Sequence, residues 1–187
     1  QPYAIGFEMR LPLEWSGRFF YQANGGTDGS VVPATGAVSG GGPLTSALLQ
    51  GFAVISSDAG HSPLQNPFFG LDPQARLDFG YQAVGALTPM AKSVIATAYG
   101  NPPAYSYIGG CSNGGRHTMV AAARYPDEYD GYLVGAPGFR LPDAAIANIY
   151  GAQQYAPLSG GAVIPAGPFA GLPDLSAAFT LPERQLL

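Results

Sequence analysis

Tyr105-Ser106-Tyr107-Ile108-Gly109-Gly110-Cys111-Ser112-Asn113-Gly114-Gly115-Arg116 is the stretch on which the fold turns. Tyr105 to Gly109 reads as a short strand, and Arg116 to Tyr125 as a helix stopped by Pro126. Between them, glycines stand two places before and two places after Ser112. A strand that enters a helix through so tight a turn forces unusual backbone angles on the central residue. Flanking glycines remove the side chains that would otherwise clash. The serine hydroxyl is thereby raised to the carboxyl end of the strand. The following helix aims its N-terminus at the same place, which favours negative charge there. The register singles out Ser112. A nucleophilic Cys111 would need glycines at 109 and 113, and position 113 is Asn.

Outward from this turn, the chain alternates strands and helices. Ala4 to Pro12 alternates as a strand, with Ile5, Phe7 and Met9 opposite Glu8 and Arg10. Arg18 to Ala23 is an aromatic-rich strand running into Asn24-Gly25-Gly26, and a Gly-, Ser- and Pro-rich loop follows from Thr27 to Pro43. Leu44 to Leu49 reads as a helical turn ending at Gly51. Phe52 to Ser57 is a continuous apolar run, the mark of a buried parallel strand. Leu77 to Tyr99 is the longest helix, stopped by Gly100 and interrupted by Pro89, and Tyr129 to Gly135 is a further strand. Strands alternating with helices imply α/β architecture: a mostly parallel sheet flanked by helices. With a nucleophile turn between strand and helix, the expected class is the α/β-hydrolase fold. From Pro142 onward Pro, Gly and Ala dominate and the periodicity fades, until Leu181-Pro182-Glu183-Arg184 reads as the first turn of a helix.

In such a fold the oxyanion of an ester's tetrahedral intermediate is held by two backbone N–H groups. One comes from the residue after the nucleophile, here Asn113, and the other from the loop after an earlier strand, here Gly26 or Gly25. A serine also needs a base, normally His oriented by Asp or Glu. Only His61 and His117 are present. His117 follows Ser112 on one helix and points away from the turn, so it reads as structural. His61 precedes Ser112, whereas α/β-hydrolases order their triads as Ser, acid, His. Asp58 and His61 therefore read as structural or as pocket wall. The triad Asp and His are expected outside this chain.

Composition narrows the alternatives. Hydrophobic residues make up 47% of the 187, so the chain is globular. Charged residues make up only 11%, as in a secreted protein or one whose surface is partly covered by more polypeptide. A net charge of −4 with scattered Lys and Arg argues against a nucleic-acid partner, and none is expected. No apolar run reaches the roughly 18 residues of a membrane span, so no membrane partner is expected. The first residue is Gln1, as in a mature or trimmed chain, and the helix start just before Leu187 points to truncation, cleavage or a gap. Cys111 is the sole cysteine; by count alone it is either a buried free thiol or half of a pair made elsewhere.

The sequence resembles the tannase and feruloyl esterase family. The matching stretches are Gly6-Phe7-Glu8-Met9-Arg10-Leu11-Pro12 with Trp15, Gly17 through Gly26, Ser57-Asp58-Ala59-Gly60-His61, Gly109 through Arg116, Arg124-Tyr125-Pro126, Tyr129-Asp130-Gly131 and Gly135-Ala136-Pro137. They span about residues 4–140, and the Cys111-Ser112 pair is the sharpest of them. The resemblance implies that Cys111 forms a disulfide with a cysteine just after the catalytic His. That cysteine would lie on a further polypeptide segment of the same protein, a partner joined through Cys111. The resemblance also implies a lid domain that supplies much of the substrate pocket and often a structural calcium site, for which no metal ligand can be assigned in this chain. Residues 1–143 are then the N-terminal part of the catalytic domain, and 144–187 the connection into the lid.

The resulting expectation is a secreted, extracellular or periplasmic serine esterase. It would hydrolyse esters of aromatic acids, feruloyl or galloyl in type, through an acyl-enzyme on Ser112 and without a catalytic cofactor. The alternatives are a polyester or short-chain carboxylesterase on the same fold, and an esterase-like binding module without catalysis. Such modules usually lose the serine or the turn glycines, and both are present here.

Overall fold

Ala53–Ser57 is buried at every position, as a strand covered on both faces must be. In the computed structural model, which describes residues 4–38, 45–166 and 170–185, this strand is β3 of a five-stranded sheet. The others are β1 (Phe7–Arg10), β2 (Arg18–Gln22), β4 (Tyr105–Cys111) and β5 (Gly131–Gly135), in spatial order β1-β3-β2-β4-β5. β1 is antiparallel to β3, with Phe7 opposite Ser57 and Arg10 opposite Val54. The remaining pairs are parallel: Phe19 with Ala53, Gln22 with Gly109, and Cys111 with Gly135. The carboxyl ends of β2 to β5 therefore share one edge.

The helices follow from local signals. Asp72 accepts from the N–H groups of Gln74 (2.8 Å) and Ala75 (3.0 Å) and caps α1 (Pro73–Leu77), with Pro73 in the first turn. The chain then passes through a π-helical turn, Asp78–Gln82, into α2 (Ala83–Tyr99), which contains Pro89 and stops at left-handed Gly100. The long helical stretch thus begins at Pro73 rather than Leu77, because Asp72-Pro73 supplies a start signal upstream of the apolar periodicity. The helical turn expected at 44–49 is reduced to a 3-10 turn at Leu48–Gln50, closed by Gly51; residue 44 lies outside the described residues. α3 (Asn113–Arg124) starts three residues before the sequence expectation, directly at the turn, with Ser112 as its N-cap.

The pleat sorts the core into two faces. Phe19, Tyr21, Ala53, Ile55 and Ile108 pack with Val84, Leu87, Ala91 and Ile95 of α2. Phe20 and Val54 pack with Ala34 and Ala47 on the opposite side. The structure divides into two compact units, residues 1–138 and 139–187. The first holds the sheet. The second contains α4 (Leu141–Tyr155), a bridge between Val163 and Pro173, and α5 (Leu181–Arg184), capped by Thr180. α4 was not foreseen: Pro142, Gly151 and the alanines dominate its reading, although Ile146, Ile149 and Tyr150 stand at helical spacing, all exposed. Among the described residues no helix is long and apolar enough to cross a membrane.

Candidate active site

Ser112 stands at φ 60°, ψ −119°, a backbone region that L residues rarely occupy, and it is exposed. Backbone bonds on both sides lock this conformation. The Ser112 N–H donates to Gly135 O at the end of β5 (3.0 Å). Its carbonyl accepts from Arg116 N and from Gly138 N, both at 3.0 Å. The glycines around it are required by close approach of backbone. A Cβ on Gly110 would lie 2.3 Å from Ala23 O, one on Gly114 2.2 Å from the same oxygen, and one on Gly115 2.4 Å from Gly135 O. The turn is therefore wedged between the ends of β2 and β5.

The loop after β2 runs beside it. Ala23 N donates to Gly109 O (2.9 Å), and Asn24 Nδ2 donates to Ser56 Oγ (3.0 Å) and Ser57 O (2.9 Å). Gly25 passes close to the Cys111 carbonyl, with its would-be Cβ 3.6 Å away; Gly26 has φ 67° and open space around it. As the first residue of α3, Asn113 carries an N–H with no acceptor inside the helix. A cavity of about 210 Å³ lies alongside, lined by Asn24, Gly25, Val32, Thr35, Ala37 and Cys111. Cys111, half-buried, is a free thiol here.

The structure adds a residue that sequence reading missed. Asp28 is folded in at φ 56°, its side chain 2% exposed, and its Oδ2 accepts from Asn113 Nδ2 (2.6 Å) and His117 Nε2 (2.7 Å). Arg116 completes the cluster: Nε donates to Asn113 Oδ1 (2.7 Å), and its guanidinium reaches Phe79 O (3.0 Å) and lies over the Phe79 ring. Burial lowers the Arg116 pKa, and the charge of Asp28 opposes that shift. The only sequence signal for Asp28 is an acidic residue in a Gly-rich loop of a charge-poor chain.

His117 is thus held by Asp28, a structural placement. His61 is buried, stacked on Phe69 at 3.7 Å between ring centroids, and neither of its ring nitrogens has a hydrogen-bond partner. Asp58 binds the N–H groups of Gly6 (2.9 Å) and Gly60 (2.8 Å). Asp58 thereby ties Gly6 to the end of β3, and His61 packs in the aromatic cluster beside it. Among the described residues no group of three or more His, Cys, Asp or Glu is arranged to hold a metal, so no step is assigned to one.

Asp78, next to the Phe79 and Gly80 carbonyls that cap Arg116, has its pKa raised by burial; the bond from Gln74 Nε2 (2.9 Å) opposes this and the charge of Asp72 adds to it. The folded state therefore holds this proton more tightly than the unfolded chain does. Stability is full below the unfolded pKa and falls as pH rises through the folded one. Asp78→Asn mimics the protonated acid. Its urea midpoint should exceed the parent's at about pH 8 and approach it at about pH 3, where the parent's Asp78 is largely protonated in both the folded and the unfolded state.

Residues 1–170 match the family model described as tannase and feruloyl esterase. The chain belongs to the tannase and feruloyl esterase family. It is 41% identical, over 100% of its length and 31% of the relative's, to the mono(2-hydroxyethyl) terephthalate hydrolase of Piscinibacter sakaiensis. The crystal structure of feruloyl esterase B from Aspergillus oryzae superposes with a TM-score of 0.65 at 31% identity, over 74% of this chain and 26% of that one. The tannin acyl hydrolase of Aspergillus niger gives 0.64 at 25% identity, over 82% and 29%. The mostly parallel sheet with flanking helices is thus that of an α/β-hydrolase. The chain spans about a third or less of the length of these family members.

Proposed function

We propose that these residues form the nucleophile side of a serine carboxylic-ester hydrolase acting on esters of aromatic acids. The observation that carries the reading is Ser112 itself. It is an exposed serine at φ 60° on a strand-to-helix turn, fixed at both its N–H and its carbonyl. In this reading Ser112 Oγ attacks the ester carbonyl carbon while a base takes its proton. The N–H groups of Gly26 and Asn113 hold the oxyanion. The tetrahedral intermediate expels the alcohol, which leaves with the proton from the base. Water then cleaves the acyl-enzyme by the reverse set of transfers. The base and its acid partner come from sequence outside residues 1–187. The named relatives act on feruloyl, tannin and terephthalate esters, all aromatic in the acid part, which supports that substrate class.

The test is covalent. A fluorophosphonate probe, applied to the protein with its natural flanking sequence, should label the peptide containing Ser112; a protein that does not label is no serine esterase. Rates on methyl ferulate, methyl gallate, mono(2-hydroxyethyl) terephthalate and p-nitrophenyl butyrate then rank the acyl groups. A dominant rate on the butyrate would favour a short-chain carboxylesterase instead.

Cys111 belongs to the same proposal. It sits beside the nucleophile and lines the neighbouring cavity, where a cysteine from a further segment of the same protein could reach it. A disulfide there would staple nucleophile to base, in keeping with an oxidising secreted or periplasmic setting. Non-reducing peptide mapping should find Cys111 joined to a second cysteine. Cys111→Ala should then cost about 2–5 kcal/mol of stability, read by urea unfolding.

A further inference from the structure

The oxyanion loop is anchored at its two ends and exposed between them. Ala23 and Asn24 are anchored at one end, to Gly109 and to β3, and at the other end Gly29 N donates to Asp58 O (3.0 Å). Between them Gly25 and Gly26 are exposed, and nothing lies within 4 Å of where a Gly26 side chain would be. Within the segment, Asp28 N donates to Gly25 O (3.4 Å). Gly26, Asp28 and Gly29 all have positive φ, so the segment is a tight hook whose tip turns inward at Asp28. That carboxylate reaches the first turns of α3, meeting the side chains of Asn113 and His117. Asn113 is the residue whose backbone N–H is the other oxyanion donor.

We infer that Asp28 is a positioning residue that sets the spacing of the oxyanion hole by tying the loop bearing Gly26 to the helix bearing Asn113. The inference deepens the proposed function and rests on Ser112 being its nucleophile. The physical basis is stiffness. A buried carboxylate accepting two short hydrogen bonds is strongly held, and each bond to a charged acceptor is about twice as strong as a neutral one. Arg116 steadies the far side of Asn113 and is itself capped by the Phe79 and Gly80 carbonyls. The hole is thus preorganised by a side-chain chain running Arg116, Asn113, Asp28, His117. An error of about 1 Å in such a site costs on the order of 100-fold in rate.

The test uses the protein with its natural flanking sequence, assayed on p-nitrophenyl butyrate and on its O-aryl thionoester. A thiocarbonyl sulfur is large and a weak acceptor, so it gains little from the hole. The oxoester-to-thionoester rate ratio therefore reports the hole itself. Asp28→Ala should lower kcat for the oxoester on the order of 10- to 100-fold, leave KM within about threefold, and shrink that ratio. Asp28→Asn keeps an accepting oxygen and tolerates positive φ, so it should recover most of the loss. Asn113→Ala paired with His117→Ala keeps the backbone donor at 113 while cutting both ties from the helix side. It should reproduce the Asp28→Ala pattern, and it carries the test if Asp28→Ala does not fold. An unchanged kcat overturns the inference, and so does a loss of kcat at constant oxo-to-thiono ratio. Ser112→Ala separates the two layers. If that variant still turns over ester, the nucleophile reading fails and the inference with it. If Ser112→Ala is dead and the ratio does not move in Asp28→Ala, only the inference fails.

Discussion

Ser112→Ala should abolish ester hydrolysis, lowering kcat on the order of 10⁴- to 10⁶-fold on p-nitrophenyl butyrate and methyl ferulate alike. The size follows from chemistry. In the proposed mechanism no acyl-enzyme forms without Oγ, which leaves only residual turnover by water on the proposed oxyanion donors. The fold should survive, because no packing depends on the exposed hydroxyl. Thermal melting then distinguishes two replacements. Alanine at φ 60°, ψ −119° keeps the strain of a non-glycine residue, of order 1–3 kcal/mol. Ser112→Gly relieves that strain, so it should melt above both the parent and Ser112→Ala while being equally inactive. A more stable, dead Gly variant would show that the turn holds strain for the sake of the hydroxyl's position. Equal melting of the Gly and Ala variants would mean that the backbone at 112 relaxes freely.

How far the sequence carried this reading depends on the range of each interaction. Phe52 to Ser57 was legible as a buried strand because its burial is written in an unbroken apolar run, and Tyr105 to Gly109 was legible as a strand from its short run into the turn. The nucleophile turn was legible because three constraints fall within five residues. The glycine requirement is more than local, however: Gly110 and Gly114 are both squeezed by one carbonyl, Ala23 O, far upstream. Asp28 was invisible for the same reason. What buries it is Asn113 and His117, 85 and 89 residues further along the chain, and no periodicity links them. α4 was missed for a different reason: Pro142, Gly151 and the alanines around them obscure the helical spacing of Ile146, Ile149 and Tyr150. The π-helical turn at Asp78–Gln82 has no compositional signature either, yet it places the Phe79 and Gly80 carbonyls against Arg116. The turn that presents Ser112 was thus readable in the sequence, whereas the residues that hold it in place needed three dimensions.

Gly114→Ala should be among the most damaging single-methyl changes in the chain. In an ordinary helix, Gly to Ala stabilises by about 1 kcal/mol, since alanine has the better propensity. Gly114 lies in the first turn of α3 and is not among the residues with positive φ, so nothing in its own conformation demands glycine. The obstacle is the neighbouring strand end. The new Cβ would lie 2.2 Å from Ala23 O, 2.9 Å from Ala23 C and 3.1 Å from Asn24 O, all of them backbone atoms. No rotamer can relieve such a clash. Either α3 lifts from the sheet or the end of β2 moves, and the end of β2 is tied through Ala23 N to Gly109 O. Stability should fall by about 3 kcal/mol or more, at the upper end of overpacking costs. Activity should fall further than stability accounts for, because the displaced segment leads directly into Gly25 and Gly26, and the helix carries Asn113. Gly110→Ala meets the same carbonyl at 2.3 Å and should behave alike. Gly70→Ala, with nothing within 4 Å of the added methyl, is the control and should stay within about 0.5 kcal/mol of the parent. Urea unfolding of the three variants decides the matter. If Gly114→Ala proves as stable as the parent, the close packing of α3 on the end of β2 is not a feature of the protein in solution.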